Sequence, residues 1–158
     1  MSDITTYRGT VYPWHCDHMG HMNVMWYVGK FDEAVWNLLL EIGLTPSYLR
    51  SQERGMAAVK QSVEYVRELR PGDVVQIRSS VIGLGDKVLT VKQTMTHGEE
   101  GGVAATMEAV AVHLDTRLRK AIAFPRPVIE AIRARFPGVV TMSSKSASSA
   151  GKPNDGPH

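Results

Sequence analysis

Residues Val24-Met25-Trp26-Tyr27-Val28-Gly29-Lys30-Phe31-Asp32-Glu33-Ala34-Val35-Trp36-Asn37-Leu38-Leu39-Leu40-Glu41-Ile42 decide the fold. Their apolar members Val24, Tyr27, Val28, Phe31, Ala34, Val35, Leu38, Leu39 and Ile42 recur in steps of three and four, one face of a helix about 30 Å long at 1.5 Å per residue. Asn23 is placed to cap its first turn and Gly43 to end it. A face this wide has to be buried against a large apolar surface.

Downstream, the period changes from 3.6 to 2. Val59, Val63, Tyr65 and Leu69 alternate with Lys60, Ser62, Glu64 and Glu68, which predicts a strand. Further strands follow at Val74 to Leu84, Val88 to Thr96 and Val103 to Leu114. They are separated by turns at Arg70-Pro71-Gly72-Asp73, at Gly83-Leu84-Gly85-Asp86 and at Gly98 to Gly102. Four long strands with short glycine-bearing turns predict an antiparallel meander. Tyr7 to Tyr12, upstream, is a short strand ended by Pro13, and Val128 to Phe136 is a second, shorter helix. The order is α+β, and the sheet is expected to curl around the long helix. The domain is expected over residues 1–140. Residues 141–158, with their run of serines, glycines and prolines, are expected to be a disordered tail.

The whole chain has 158 residues, the size of one domain, and 43% hydrophobic with 22% charged residues is an ordinary globular balance. A formal net charge of +2 is too small to mark a nucleic-acid binder. One cysteine, Cys16, forms no internal disulfide, and the first eight residues lack a basic-then-apolar leader pattern; both point to the cytoplasm. The richest apolar stretch, Ala34 to Leu44, is broken by Asn37, Glu41 and Gly43 and is too short to span a membrane.

Just before the helix lies Trp14-His15-Cys16-Asp17-His18-Met19-Gly20-His21-Met22-Asn23, which has neither period and is dense in reactive groups. Three chemistries compete there. His15, His18 and His21 invite zinc, but a one-segment site normally needs a distant second pair, and within the expected domain only His97 and His113 lie further along. Cys16 as a thiol nucleophile would need a base, yet neighbours in an extended segment point away from it. Asp17 stands close to a helix N-terminus, whose unpaired N–H groups can hold a carbonyl oxygen as it gains charge. A carboxylate there can attack that carbonyl or activate water. The same aspartate also suits a plain role, hydrogen-bonding its own loop.

The segment Trp14 to Asn23, followed by Tyr27, Phe31, Glu33 and Ala34, resembles the signature of hotdog-fold acyl-CoA thioesterases of the 4-hydroxybenzoyl-CoA thioesterase type. That signature is an Asp, Gly-His three residues on, an Asn, a Tyr, and an acidic residue before Ala. The similarity continues through Arg70-Pro71-Gly72-Asp73 and Leu114-Asp115-Thr116-Arg117, over about residues 5 to 135. The resemblance implies a hotdog fold, a long central helix wrapped by a curved antiparallel sheet. It implies hydrolysis of a small or medium acyl-CoA without metal or other cofactor. Asp17 then matches the catalytic carboxylate and the Val24 N–H the oxyanion contact, while Trp14, Gly20, His21, Asn23 and Tyr27 match the acyl pocket and its loop. Family members often carry a second Asn where this chain has Val24, so only a main-chain contact transfers there.

The resemblance also implies a homodimer, or a tetramer or hexamer built from dimers, with the site between subunits. Lys60, Arg117 and Arg119 are candidate contacts to CoA phosphates. Tryptophans and tyrosines near Asp17 would suit a quaternary ammonium acyl group, as in relatives acting on betainyl-CoA. Two other readings keep the fold: a non-catalytic acyl-CoA-binding or regulatory module, and an acyl-thioester dehydratase. The dehydratase patterns, a His-containing loop or an Asp-x-Asn-Pro segment, do not appear.

Overall fold

In the computed structural model, which describes residues 3–143, the long helix α1 spans Val24–Glu41. Its ends lie where the backbone can be satisfied. Asn23 Oδ1 accepts the Met25 N–H at 3.0 Å, and Gly43 takes the left-handed conformation (φ +94°) just beyond Ile42. Tyr27, Phe31, Ala34, Leu38, Leu39 and Ile42 are buried. Two positions depart from the expected face. Val24, in the first turn, is exposed beside a cleft, and Lys30 is buried.

Strands β1 (Ile4–Thr10), β2 (Arg54–Tyr65), β3 (Val74–Leu84), β4 (Val88–His97) and β5 (Val103–Asp115) form one antiparallel sheet in the order β1-β3-β4-β5-β2. Its alternating side chains Ile77, Val81, Val91, Met95, Met107 and Ala111 join α1 in the core. β6 (Lys120–Ala121) extends β5, and β7 (Val140–Thr141) runs parallel to the end of β3. The expected boundary at residue 140 therefore cuts through a strand, and Met142 also donates its N–H to Leu84. The remainder of the expected tail lies outside the described residues. Helix α2 (Pro46–Ser51), capped by Thr45, occupies what had read as a connector. Helix α3 (Arg126–Arg135) packs Val128 and Ile132 against the far end of α1. Among the described residues, no helix is long and apolar enough to cross a membrane.

The four-strand meander is corrected to three. β3, β4 and β5 follow one another, but β2 pairs with β5 (Arg54↔Asp115 to Tyr65↔Ala105) and β1 takes the place beside β3. The Arg70-to-Asp73 turn is not a hairpin. Asp73 folds its carboxylate back onto the Arg70 N–H, Leu69 is buried and accepts the Met22 N–H, and Val11 bonds both Gly72 and Asp73. The segment after β2 is thus tied to the loop that precedes α1, which brings the two together at one end of the helix.

Phe31 is fully buried where α1 meets β3, β4 and β5. Phe31→Ala should lower unfolding free energy by about 3–5 kcal/mol, read from the urea midpoint at unchanged m-value.

Candidate active site

The loop before α1 is built by its own polar groups. His15 Nδ1 accepts the Tyr12 N–H, the Asp17 N–H donates to His21 O, and the Gly20 N–H donates to Asp17 O. Gly20 closes that turn at φ +80°, which is why a glycine stands there. Both oxygens of Asp17 are held: Oδ1 accepts from Met19 N–H and Oδ2 from Asn23 Nδ2, each at 2.9 Å. These two bonds, the Met19 one foremost, hold the carboxyl below the usual aspartate range. Asn23 works with both ends, since its Oδ1 caps Met25 while its Nδ2 orients Asp17. With Met25 capped and the Trp26 N–H given to Asn23 O, the Val24 N–H has no acceptor among the described residues.

Asp17 and Val24 line one cleft of about 260 Å³ together with His21, Tyr27, Tyr65 and Glu68. The Tyr27 hydroxyl donates to Arg67 O at 2.9 Å, and its ring meets Tyr65 edge-on at 5.2 Å. His21 Nε2 lies 3.0 Å from a Glu68 carboxylate oxygen. Gly20 and Asn23 shape the loop without lining the cleft. Tyr65, Arg67 and Glu68 were not expected there. Tyr65 ends β2, and the segment after it, tied back to Met22 and Val11, brings Arg67 and Glu68 to the Asp17 cleft. Arg67 and Glu68 also border a polar recess of about 410 Å³ containing Arg70, Asp73 and His97.

Other expected residues lie elsewhere. Trp14 does not line the Asp17 cleft; it stacks on Tyr12 at 4.4 Å and faces a different recess. Lys60 is exposed on β2. Arg117 and Arg119 sit in the turn beyond Asp115, at the end of β2 opposite Tyr65. His18 is exposed. Burial, with Asp17 and Asp73 nearby, pushes the Cys16 thiol up, away from the thiolate a nucleophile needs. Among the described residues, no three His, Cys, Asp or Glu side chains are grouped as metal ligands.

A long helix wrapped by a curled antiparallel sheet, with an oriented carboxylate and the helix's first turn lining one cleft, is the arrangement of a hotdog protein. The chain belongs to the thioesterase-like superfamily, whose model matches residues 11–136. It is 27% identical over 116 residues to an L-carnitine dehydrogenase/betainyl-CoA thioesterase of Agrobacterium fabrum, 73% of this chain but 24% of that one, so it spans about a quarter of that relative. It is 22% identical over 131 residues to the betainyl-CoA thioesterase of Pseudomonas aeruginosa, covering 83% of this chain and 82% of that one. Among solved structures, a hypothetical protein from Staphylococcus aureus in complex with CoA superimposes with a TM-score of 0.81 at 22% identity over 90% of each chain.

Asn23→Ala removes one of the two bonds that keep Asp17 ionised, along with the helix cap. The lowered pKa means the carboxylate persists on acidification below the point where a free aspartate is protonated, so losing this bond must move its titration upward. A carbon-13 carboxyl titration should show the Asp17 midpoint higher in the variant, and unfolding free energy should fall by about 1 kcal/mol from the lost cap.

Proposed function

We propose that the chain hydrolyses the thioester of a small acyl-CoA, with Asp17 as the reacting carboxylate and the Val24 N–H as the oxyanion donor. The observation that carries this reading is Asn23, which orients the carboxylate and caps Met25 in a way that leaves the Val24 N–H open. Asp17 either takes a proton from the attacking water and passes it to the CoA sulfur as the C–S bond breaks, or itself attacks the carbonyl carbon, releasing CoA as the thiolate and leaving a mixed anhydride that water then hydrolyses. In both routes the carbonyl oxygen gathers charge against the helix N-terminus. Water supplies the oxygen of the released acid. A cleft of about 260 Å³ suits a small acyl group. Asp17, Glu68 and the rings of Tyr27 and Tyr65 outweigh the one Arg67 guanidinium along it, which suits a neutral or cationic acyl group, in line with the betainyl-CoA thioesterases named above.

A second copy of the chain completes the site in this reading. β2 is an edge strand of twelve residues, paired on one side only, with Val59 51% and Tyr65 48% exposed. A long strand edge with unpaired N–H and C=O groups is a pairing surface. Two-fold antiparallel pairing of β2 with its copy would wall the cleft at Tyr65 and carry the copy's Arg117-to-Lys120 turn toward it. Arg67 and Arg70 are the nearer cations of the same chain for CoA phosphates.

Thiol release from aromatic, straight-chain, branched and cationic acyl-CoAs, followed with a thiol-reactive dye, tests the reaction. Asp17→Asn should lower turnover by roughly 10²–10⁴-fold with an unchanged circular dichroism spectrum. Near-normal hydrolysis by that variant would remove Asp17 from the mechanism, and binding of every acyl-CoA without thiol release would make the chain a binding module.

A further inference from the structure

A second recess, of about 440 Å³, shares no lining residue with the Asp17 cleft. It opens between β1 and α1 and is walled by Tyr7, Tyr12, Trp14 and Trp26, with Lys30 inside and Glu33 also lining it. Lys30 is the unusual member. It is 4% exposed, and no carboxylate lies within ion-pair distance of it among the described residues. Its Nζ donates to Tyr7 Oη at 2.9 Å and to Thr10 O at 3.4 Å, which leaves one of three N–H groups unused. Burying an ammonium costs far more than two neutral acceptors return, unless an anion comes to meet it.

The surroundings are built for this lysine. A Cβ at Gly9 would stand 2.2 Å from Tyr7 Oη, so glycine there is what lets the tyrosine lie across β1 and reach Nζ. The aromatic walls have flat faces to offer. Tyr12 and Trp14 stack in parallel (8° between planes) with Trp14 67% exposed, and Trp26 packs on the His15 ring at 4.5 Å. His15 accepts the Tyr12 N–H on Nδ1, so its neutral form carries the proton on Nε2. Aromatic walls of this kind otherwise attract cations, but the Lys30 ammonium already lies 5.2 Å from the Tyr7 ring centroid and would repel a second one.

We propose that this recess binds an aromatic carboxylate, its ring stacked on the tryptophan walls and its carboxylate on Lys30. The ligand is a flat ring bearing one negative charge, because Glu33, the one acidic side chain along the recess, disfavours a second. The site stands apart from Asp17 and does not depend on the chain being a hydrolase.

Calorimetric titration of the full chain with 1-naphthoate and with the uncharged 1-naphthamide tests it. The carboxylate should bind about tenfold more tightly than the amide, the worth of one charge-assisted hydrogen bond. Lys30→Met should remove that preference. Trp14→Ala, at an exposed position that leaves folding intact, should weaken both ligands about fivefold. Asp17→Asn should leave naphthoate binding unchanged, which separates this site from the hydrolytic one whatever the acyl-CoA assays report. Equal affinity of the two ligands for the unaltered chain, no effect of Trp14→Ala, or loss of naphthoate binding in Asp17→Asn would each overturn the proposal. If Lys30→Met fails to fold by circular dichroism, the ligand pair and Trp14→Ala decide.

Discussion

Burying Phe31, Ala34, Leu38 and Leu39 on one face of α1 requires a concave apolar surface, and β3, β4 and β5 supply it. That constraint orders the sheet. If β2 and β3 paired as a hairpin, β2 would take the place beside β3 that β1 holds, and the chain after Tyr65 would not return to the start of the helix. Instead β2 lies at the far edge, and residues 66–73 cross back to bond with Val11 and Met22. The crossover carries Arg67 and Glu68 past the helix start, and the cleft exists because of it.

The first turn of α1 then becomes the most specified point in the molecule. A helix start leaves several N–H groups to satisfy. Asn23 takes the Met25 N–H, the loop supplies nothing to Val24, and the same asparagine fixes the Asp17 carboxylate, which lines the same cleft. One amide side chain thus caps the helix and also adds to the Met19 N–H in holding the Asp17 carboxyl below its usual range.

Much of this was legible in the chain itself. The 3.6 period from Val24 to Ile42, the Asn23 cap, the Gly43 stop and the bounds of β3, β4 and β5 all come from local patterns that tertiary structure did not override. What escaped was long-range. Arg70-Pro71-Gly72-Asp73 has the composition of a hairpin turn, and nothing local says that Leu69 will be buried beside Met22. Tyr65 and Glu68 alternate like any strand residues, so their place on the cleft was invisible. Trp14 sits three residues from Asp17 in the chain, yet the Pro13–His15 turn carries it to Tyr12 and a different recess. Lys30 lies one step off the apolar stripe and no local pattern marks it for burial, which depends on Tyr7 and Gly9 from a strand about twenty residues earlier.

The openness of the Asp17 cleft bears on how much of the working site one chain contains. An oxyanion contact gains its strength where water is excluded and the local dielectric is low. Here Asp17 and Val24 face solvent, and the exposed side chains at the end of β2, Tyr65 and Val66, border the same opening. The unpaired edge of β2 runs directly up to it. A surface that pairs along that edge would dry the cleft and bury Val59 and Tyr65 in one step, so the same contact that removes an aggregation-prone edge would also raise the value of the Val24 N–H. In the proposed reading assembly and chemistry are coupled, because the unpaired β2 edge and the open Asp17 cleft lie next to each other.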